Sequence, residues 1–335
     1  DRVSGGTGND RLFGGAGPDA LSGDEGNDDL SGDTEDDSLS GGPGDDSMYE
    51  SFVRPAEPGD HPTDGDDRYD GGPGTDLVSW ASSPFGIDVS LKTGIAQGDG
   101  SNKLTSVESI QGSDQRDRIE GSDAAETLAG GDDNDTILAA GGDDELRGES
   151  GDDELDGGDG SDTVGFRDAF HKLVVNLAGR ASTGEGNDAL LDIENVYGGY
   201  RKDFIIGDDG PNRIFGGISG EDTLRGLGGD DKLVGGLYTL DRSGHPVYVE
   251  DDVLIGGPGD DVLDGAFGSD TADFASSTAG VTADLRARTA VGEGNDKLVS
   301  MENLSGSGYD DVLVGDSQPN ELVGRSGNDS LQASD

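Results

Sequence analysis

The sequence predicts an all-β solenoid, in which the chain winds through stacked coils of short strands. Three observations favour this fold class: a nine-residue repeat, a low apolar content and a large excess of acidic residues. Of 335 residues, 62 are glycine, 73 are Asp or Glu and only 22 are Lys or Arg, so the formal charge is −51. Hydrophobic residues make up 30%, too few for an ordinary core of this size. The chain therefore needs something bound to neutralise its charge before it can fold.

The repeat is clearest in the five consecutive units that start at Gly5, which read GGTGNDRLF, GGAGPDALS, GDEGNDDLS, GDTEDDSLS and GGPGDDSMY. Each begins with Gly, usually has a second Gly at the fourth position, and carries Asp at the sixth and an apolar residue at the eighth. Glycine permits the positive φ angles of tight turns. The eighth residues, such as Leu12 and Leu21, or Leu30 and Leu39, point inward from a short strand. One apolar side chain per unit cannot form a core alone, whereas stacked units can.

The sixth-position carboxylates are the candidate metal ligands. Stacking aligns them in rows along the outside of the turns, about 4.8 Å apart per coil. Such rows repel unless a cation lies between them. With no Cys and only three His, the donors are oxygens, which favour a hard cation such as Ca²⁺. The predicted ligands are Asp10, Asp19, Asp28, Asp37, Asp46, Asp67, Asp76, Asp117, Asp135, Asp144, Asp153, Asp162, Asp203, Asp222, Asp231, Asp252, Asp261, Asp270, Asp311 and Asp329.

The pattern GGxGxDxUx, where U is aliphatic, resembles the haemolysin-type calcium-binding (RTX) repeats. The resemblance implies a parallel β-roll in which two units make one 18-residue coil. It also implies calcium between turns two units apart, held by the sixth-position carboxylates and by carbonyl groups of the turns. Carried over to this chain, it pairs Asp10 with Asp28, Asp19 with Asp37, Asp28 with Asp46, Asp135 with Asp153, and Asp144 with Asp162.

Departures from the repeat pattern weaken individual sites. Glu35 replaces the fourth-position Gly, and Glu126 occupies a sixth position. Asn212 and Asn320 occupy two more sixth positions. We expect weaker calcium binding, or none, at these turns.

Three stretches of 32 residues, 80–111, 166–197 and 274–305, lack the repeat and match one another; we call them the interludes. Each begins with an aromatic residue (Trp80, Phe166 or Phe274), which we interpret as core packing. An alternating apolar segment, a Gly-acid-Gly turn (98–100, 184–186 or 292–294) and a second apolar segment follow. Period-two alternation indicates half-buried strands. We expect longer strands that continue the solenoid without nonapeptide calcium turns.

The predicted organisation is one continuous solenoid of repeat blocks and interludes. The repeat blocks are 1–79, 112–165, 198–273 and a tail, 306–335. Two insertions, loops 50–64 and 237–250, each contain a His-Pro pair, His61-Pro62 and His245-Pro246. Insertions in solenoids map to loops on one face. We interpret both as solvated loops, with a partner contact as the alternative.

Several functional classes are excluded or disfavoured. The sequence has no run of 18 apolar residues, which a membrane-spanning helix needs. Its acidic charge repels nucleic acid. The His-Glu-x-x-His motif, the Gly-x-Ser-x-Gly elbow and the phosphate-binding loop are all missing, so we predict that the chain is not an enzyme. Without cysteine, no disulfide is available to stabilise the fold.

Three interpretations of function remain. The first is an extracellular or cell-surface calcium-binding structural protein that folds when it binds Ca²⁺. Because Asp1-Arg2-Val3-Ser4 fills positions six to nine of a unit and Ala333-Ser334-Asp335 would start another, copies could stack end to end into filaments or a surface layer. The second is an RTX export and folding region of a larger secreted enzyme, toxin or adhesin. The third is a module that binds polysaccharide or a cell surface. We favour the first.

Overall fold

A computed structural model describes residues 1–50, 65–98, 100–237 and 249–333. Within these ranges every regular element is a β-strand, and no helix could cross a membrane. In chain order the strands are β1 (Arg2–Thr7), β2 (Arg11–Ala16), β3 (Ala20–Glu25), β4 (Asp29–Thr34), β5 (Ser38–Ser40), β6 (Ser47–Tyr49), β7 (Arg68–Asp70), β8 (Leu77–Ser79), β9 (Asp88–Ser90), β10 (Ile95–Gly98), β11 (Gly100–Thr105), β12 (Ser109–Gln111), β13 (Arg118–Glu120), β14 (Thr127–Asp132), β15 (Thr136–Leu138), β16 (Glu145–Ser150), β17 (Glu154–Asp156), β18 (Thr163–Gly165), β19 (Val174–Asn176), β20 (Ala181–Thr183), β21 (Asn187–Leu191), β22 (Asn195–Tyr197), β23 (Phe204–Ile206), β24 (Arg213–Phe215), β25 (Thr223–Arg225), β26 (Lys232–Val234), β27 (Val253–Ile255), β28 (Val262–Asp264), β29 (Thr271–Asp273), β30 (Thr282–Asp284), β31 (Thr289–Val291), β32 (Asn295–Val299), β33 (Asn303–Ser305), β34 (Val312–Val314), β35 (Leu322–Val323) and β36 (Ser330–Gln332).

The first compact unit comprises Asp1–Asp162 and Gly186–Ile193. Its repeat strands alternate between two parallel sheets, so that each strand pairs with the strand two positions later. Leu12 lies beside Leu30, and Leu21 beside Leu39, which gives the 18-residue coil. The middle residue of each short strand points inward, and Leu30 and Leu39 are almost completely buried. The predicted β-roll and its one-residue-per-unit core are therefore confirmed.

The second compact unit comprises Thr163–Glu185 and Glu194–Asp335 and is built in the same way. Val196 lies beside Ile214 in one parallel sheet, and Ile205 beside Leu224 in the other. The second pair is 19 residues apart, so the coil accommodates one extra residue in a turn. The inward side chains of this unit are again buried as far as Leu313, whereas Leu331 in the last strand is 48% exposed.

Both insertions leave the strand register intact. Leu39 pairs with Tyr69 and Leu224 with Leu254, each across 30 residues, which equals one 18-residue coil plus the twelve inserted residues. The loop residues between these strands, including both His-Pro pairs, lie outside the described residues. The interpretation of those loops therefore stays a prediction.

The interludes differ from the repeats by a reversal of the chain, which the sequence pattern did not predict. In the first interlude β9 pairs antiparallel with β10, which pairs antiparallel with β11. Strand β11 then returns parallel to β7, while β9 runs parallel to β13. The third interlude repeats this arrangement with β30, β31 and β32, between β34 and β28. Each of these interludes thus inserts one antiparallel strand into an otherwise parallel sheet.

The aromatic residues that open the interludes pack in the core. Trp80, Phe166 and Phe274 are all buried, and the Trp80 ring meets Tyr69 edge-on at 6.1 Å between centroids. Buried aromatic pairs in this geometry stabilise a core beyond their area alone. The interpretation of these residues as core packing is confirmed.

Candidate calcium-binding turns

The sixth-position carboxylates lie inside the turns and not on their outer surface. Of the twenty predicted ligands, all but Asp10 and Asp329 are buried. The expectation that they line the outside of the turns is therefore wrong. The reason is the first-position glycine, whose missing side chain leaves the space that the carboxylate enters. A Cβ atom at Gly23, for example, would lie only 2.2 Å from Asp28 Oδ2.

One oxygen of each carboxylate links neighbouring coils. Oδ1 of Asp28 accepts a hydrogen bond of 2.8 Å from the backbone N–H of Asp10, and Oδ1 of Asp46 accepts one of 2.8 Å from Asp28. The same bond joins Asp135 to Asp153. The ladder also crosses the first insertion, since Asp76 accepts from the N–H of Asp46. Every pair that the resemblance implied is adjacent in this way.

The other oxygen has no hydrogen-bond partner at many of these turns. A buried carboxylate oxygen without a partner is costly, so it marks a place for a cation. Backbone carbonyls approach the same space: the Cβ position of Gly23 is 2.6 Å from the carbonyl oxygen of Gly41 on the next coil. Among the described residues, the carboxylates with a buried and unpartnered Oδ2 include Asp10, Asp19, Asp28, Asp37, Asp46, Asp76, Asp135, Asp144, Asp153, Asp231, Asp261 and Asp270.

Burial disfavours the charged form of these groups and raises their pKa. The pKa of Asp135 rises to about 8, through burial first and then the charges of Asp117 and Asp153, although the N–H of Asp117 opposes the rise. Burial raises the pKa of Asp144 to about 7 and that of Asp222 to about 9. A divalent cation among these oxygens would replace the protons and keep the carboxylates ionised.

Three sixth-position side chains are instead closed by a serine at the second position of their own turn. Ser113 donates its backbone N–H to Asp117 Oδ2 at 2.6 Å and its hydroxyl to Oδ1 at 2.8 Å. Ser307 makes the same two bonds, both of 2.7 Å, to Asp311. Ser122 bonds Glu126 in the same manner. Both oxygens of each carboxylate therefore have partners without a metal.

Two other turns are closed by asparagine. Asn212 donates its side-chain amide to the carbonyl of Glu194 at 2.9 Å and to Asp208 Oδ1 at 3.1 Å. Asn320 makes the equivalent bonds to Glu302 and Asp316. The asparagine amide thus donates hydrogen bonds to oxygen atoms of these turns, which a carboxylate at the same position could not do.

These closed turns share one location: they are the two turns that directly follow an interlude. One further turn at such a location holds Asp203, whose Oδ2 accepts a hydrogen bond from the N–H of Gly199 at 3.0 Å. We call the six the closed turns, and the repeat turns with an unpartnered Oδ2 the open turns. The closed turns hold Asp117, Glu126, Asp203, Asn212, Asp311 and Asn320. Three of them, at Asp117, Asp203 and Asp311, were among the predicted ligands.

The hydrogen-bond ladder also includes interlude residues that the sequence analysis did not select. Glu108 and Glu302 accept from the N–H groups of Asp76 and Asp270 at 3.1 and 3.0 Å. Asn102, Asp188 and Asp296 continue the ladder after the Gly-acid-Gly turns. The signal that could have identified these three residues is an Asp or Asn two residues after the second glycine of a Gly-acid-Gly turn, the same spacing as between the fourth-position Gly and the sixth-position Asp of a repeat.

The turns do not resemble a compact metal site made of side chains. No group of three or more His, Cys, Asp or Glu with metal-binding geometry occurs within the described ranges. Each coil instead brings one carboxylate per turn to backbone carbonyls, a donor set that suits the flexible oxygen coordination of Ca²⁺.

Fold and turns together define a calcium-binding β-roll. A family model described as RTX calcium-binding nonapeptide repeat matches eight segments that cover more than half of the chain. The chain therefore belongs to this repeat family. A comparison with curated proteins gave no match. The matched segments are residues 1–30, 22–49, 106–137, 129–164, 197–219, 219–237, 250–272 and 304–335.

Proposed function

We propose that this chain is an extracellular calcium-binding structural protein, which folds into its β-roll when Ca²⁺ occupies the open turns. The observation that carries the proposal is the repeated buried Oδ2 without a hydrogen-bond partner. Such a group destabilises the metal-free fold at neutral pH and stabilises the fold once a cation is bound. The proposed role needs no catalytic group.

In this proposal the open-turn Asp side chains hold Ca²⁺ together with turn carbonyls of the adjacent coil. Bound Ca²⁺ supplies the positive charge that the rows of carboxylates lack. The protein contributes the spacing: the Oδ1 hydrogen bond to the preceding coil fixes each carboxylate, and the first-position glycine leaves room beside Oδ2. The remaining predicted ligands, Asp67, Asp162, Asp222, Asp252 and Asp329, stay predictions.

The closed turns have a different part in the proposal. Because hydrogen bonds already satisfy the carboxylates of Asp117 and Asp311, we propose that their turns bind Ca²⁺ weakly or not at all. For the same reason, we expect weak calcium binding, or none, at the turns of Glu126, Asn212 and Asn320.

Coupling of folding to calcium suits a protein that works outside the cell. Extracellular calcium-binding modules have dissociation constants of about 10⁻⁴ to 10⁻³ M, so a chain of this kind stays unfolded at cytosolic calcium and folds at extracellular calcium. The charge of −51 keeps the metal-free chain extended by self-repulsion. End-to-end association of copies into filaments or a layer is part of the same proposal.

The test is far-UV circular dichroism during a calcium titration, followed by chelation with EGTA. We expect β-structure to appear with calcium and to disappear with EGTA. A β-signal that is unaffected by either step would overturn the proposal. Electron microscopy of the calcium-loaded protein tests the association of copies, since long fibres support it and separate particles contradict it.

One observation favours a second candidate, a module that binds polysaccharide. In the second unit, the Phe170 and Tyr200 rings stack at 5.0 Å between centroids, although Phe170 is 63% exposed. In the same unit, the guanidinium carbon of Arg167 lies 4.2 Å from the centroid of the Tyr197 ring. Exposed aromatic faces stack on sugar rings, and a guanidinium group donates hydrogen bonds to hydroxyl groups. Binding of the chain to a neutral polysaccharide such as dextran, lost on F170A, supports this candidate; no binding to dextran contradicts it.

A further inference from the structure

Each interlude contains a turn with the geometry of a repeat turn. These turns, 98–102, 184–188 and 292–296, read GDGSN, GEGND and GEGND, and they lie outside every segment that the family model matches. Asp99 is outside the described residues. The fourth residue of the turn donates its N–H to the preceding coil, as the fifth-position residue of a repeat does: Asn187 donates to Asp152 Oδ1 and Asn295 to Asp260 Oδ1, both at 2.8 Å. The interlude turn therefore stacks on a repeat turn as another repeat would.

In the second and third interludes the last residue of this turn is a buried aspartate. Asp188 Oδ1 accepts the N–H of Asp153 at 3.3 Å, and Asp296 Oδ1 accepts that of Asp261 at 3.2 Å. Asp188 and Asp296 are each only 5% exposed. Each thus takes the ladder position that a sixth-position aspartate takes in the open turns.

The partner carboxylates are open at the same two places. The Oδ2 atoms of Asp153 and Asp261 are buried and have no hydrogen-bond partner among the described residues. The residues are 3% and 1% exposed. Two positions further along the chain stand Leu155 and Leu263, whose side chains have no donor to offer.

The first interlude differs at both positions. Asn102 occupies the place of the aspartate and accepts the N–H of Asp67 at 2.8 Å. Tyr69, which replaces the leucine, has its hydroxyl 3.3 Å from Asp67 Oδ2 and bonds Glu50 as well. In the first interlude the turn thus has an amide in place of the carboxylate, and a hydroxyl lies beside the partner carboxylate. Both differences fit a cation in the second and third interludes and none in the first.

We propose that the second and third interludes each hold a Ca²⁺ ion, one between Asp153 and Asp188 and the other between Asp261 and Asp296, and that the first interlude holds none at Asn102. This inference rests on the proposed function, because it extends calcium binding from the open turns to the interlude turns.

The test counts the calcium ions bound to the full chain by native mass spectrometry at saturating calcium. We expect D188N and D296N each to lose one ion, and the double variant to lose two. The converse variant, N102D combined with Y69F, is expected to gain one ion. The gain does not depend on whether D188N or D296N folds, and circular dichroism in calcium checks the fold of every variant.

The control is D135N, which alters an open turn within a matched repeat. If D135N loses calcium while D188N, D296N and the N102D/Y69F variant all keep the wild-type count, the interlude sites are overturned and the proposed function stands. If D135N also keeps the wild-type count, both are overturned. Loss of ions in D188N and D296N, or a gain in N102D/Y69F, supports the inference.

Discussion

The open turn at Asp135 and the closed turn at Asp117 lie on adjacent coils. Their carboxylates make equivalent hydrogen bonds through Oδ1 and differ at Oδ2. Each carboxylate accepts a backbone N–H through Oδ1, at 2.8 Å for the pair Asp117 and Asp135, and 2.7 Å for Ile87 and Asp117. They differ at Oδ2, which Ser113 satisfies in the closed turn and which no described residue satisfies in the open turn. The comparison teaches that one turn of a β-roll can satisfy its buried carboxylate with a local donor while the next turn cannot. We therefore propose that the need for metal differs from turn to turn.

Removal of calcium should have the largest effect. With EGTA at neutral pH, we expect amides of the open-turn blocks to exchange rapidly, because their buried carboxylates lose the compensating charge. Amides of the closed turns, such as 112–117 and 306–311, should keep more protection. Hydrogen exchange with mass spectrometry measures both regions in one sample. Equal loss of protection in the two kinds of turn would remove the distinction between them.

Acid should partly replace calcium. An unfolded Asp has a pKa of about 3.9, whereas burial raises the pKa of Asp153 to about 6 and of Asp135 to about 8. The calcium-free fold therefore binds more protons than the unfolded chain, and its stability falls as the pH rises from about 4 through these folded values. We expect more β-structure in the calcium-free chain at pH 5 than at pH 8 by circular dichroism.

High salt at pH 8 is the control for this experiment, since salt screens surface repulsion but does not protonate buried carboxylates. Salt alone should restore less β-structure than acid does. If salt restores as much, surface repulsion rather than the buried carboxylates controls the metal-free state.

Matched substitutions test the two turns directly. D135N should lower the number of bound calcium ions, because it removes an open carboxylate. D117N should leave that number unchanged, because Ser113 already occupies the carboxylate oxygens. Native mass spectrometry at saturating calcium distinguishes them. A loss of calcium in D117N equal to that in D135N would show that the closed turn also binds metal.

A smaller effect is expected when the asparagine of a closed turn is replaced. N212D places a carboxylate against the Glu194 carbonyl and Asp208, where the amide now donates two hydrogen bonds. We expect a loss of about 1–3 kcal/mol in the free energy of unfolding, measured by urea denaturation in calcium. N320D is the replicate, since Asn320 makes the same bonds. Unchanged stability with an extra bound calcium would mean that the turn had been converted to an open one.

The smallest effect on the free energy of unfolding is expected when the serine of a closed turn is replaced by alanine. S113A removes the hydroxyl bond to Asp117 but leaves the backbone bond in place. The free energy of unfolding in calcium should fall by about 1 kcal/mol. S307A should behave alike, and S4A, which alters an exposed bond to Asp24, should change less. A fall for S4A as large as for S113A would argue against a special role of the closed turns.

Much of the fold and of the candidate site could be predicted because the repeat is local. The nine-residue spacing gives the inward positions of Leu30 and Leu39, and the resemblance to the RTX repeats implied the pairing of Asp28 with Asp46. The reversal of the chain at β10 was not predicted, because alternation indicates a strand but not its direction. The burial of the carboxylates was missed as well, since it depends on the space that a first-position glycine leaves to its neighbours.

By itself, the sequence determined the architecture, since glycine at the turns and one apolar residue per unit admit little else than stacked coils. Only the tertiary structure decided which buried carboxylate oxygens have a hydrogen-bond partner. Asp117 and Asp135 look alike in the repeat pattern, and their difference depends on whether the turn brings a serine donor to the second oxygen. Hydrogen bonds of this kind are decided by contacts within and between coils, because a carboxylate has two oxygens and the repeat pattern specifies the partner of only one.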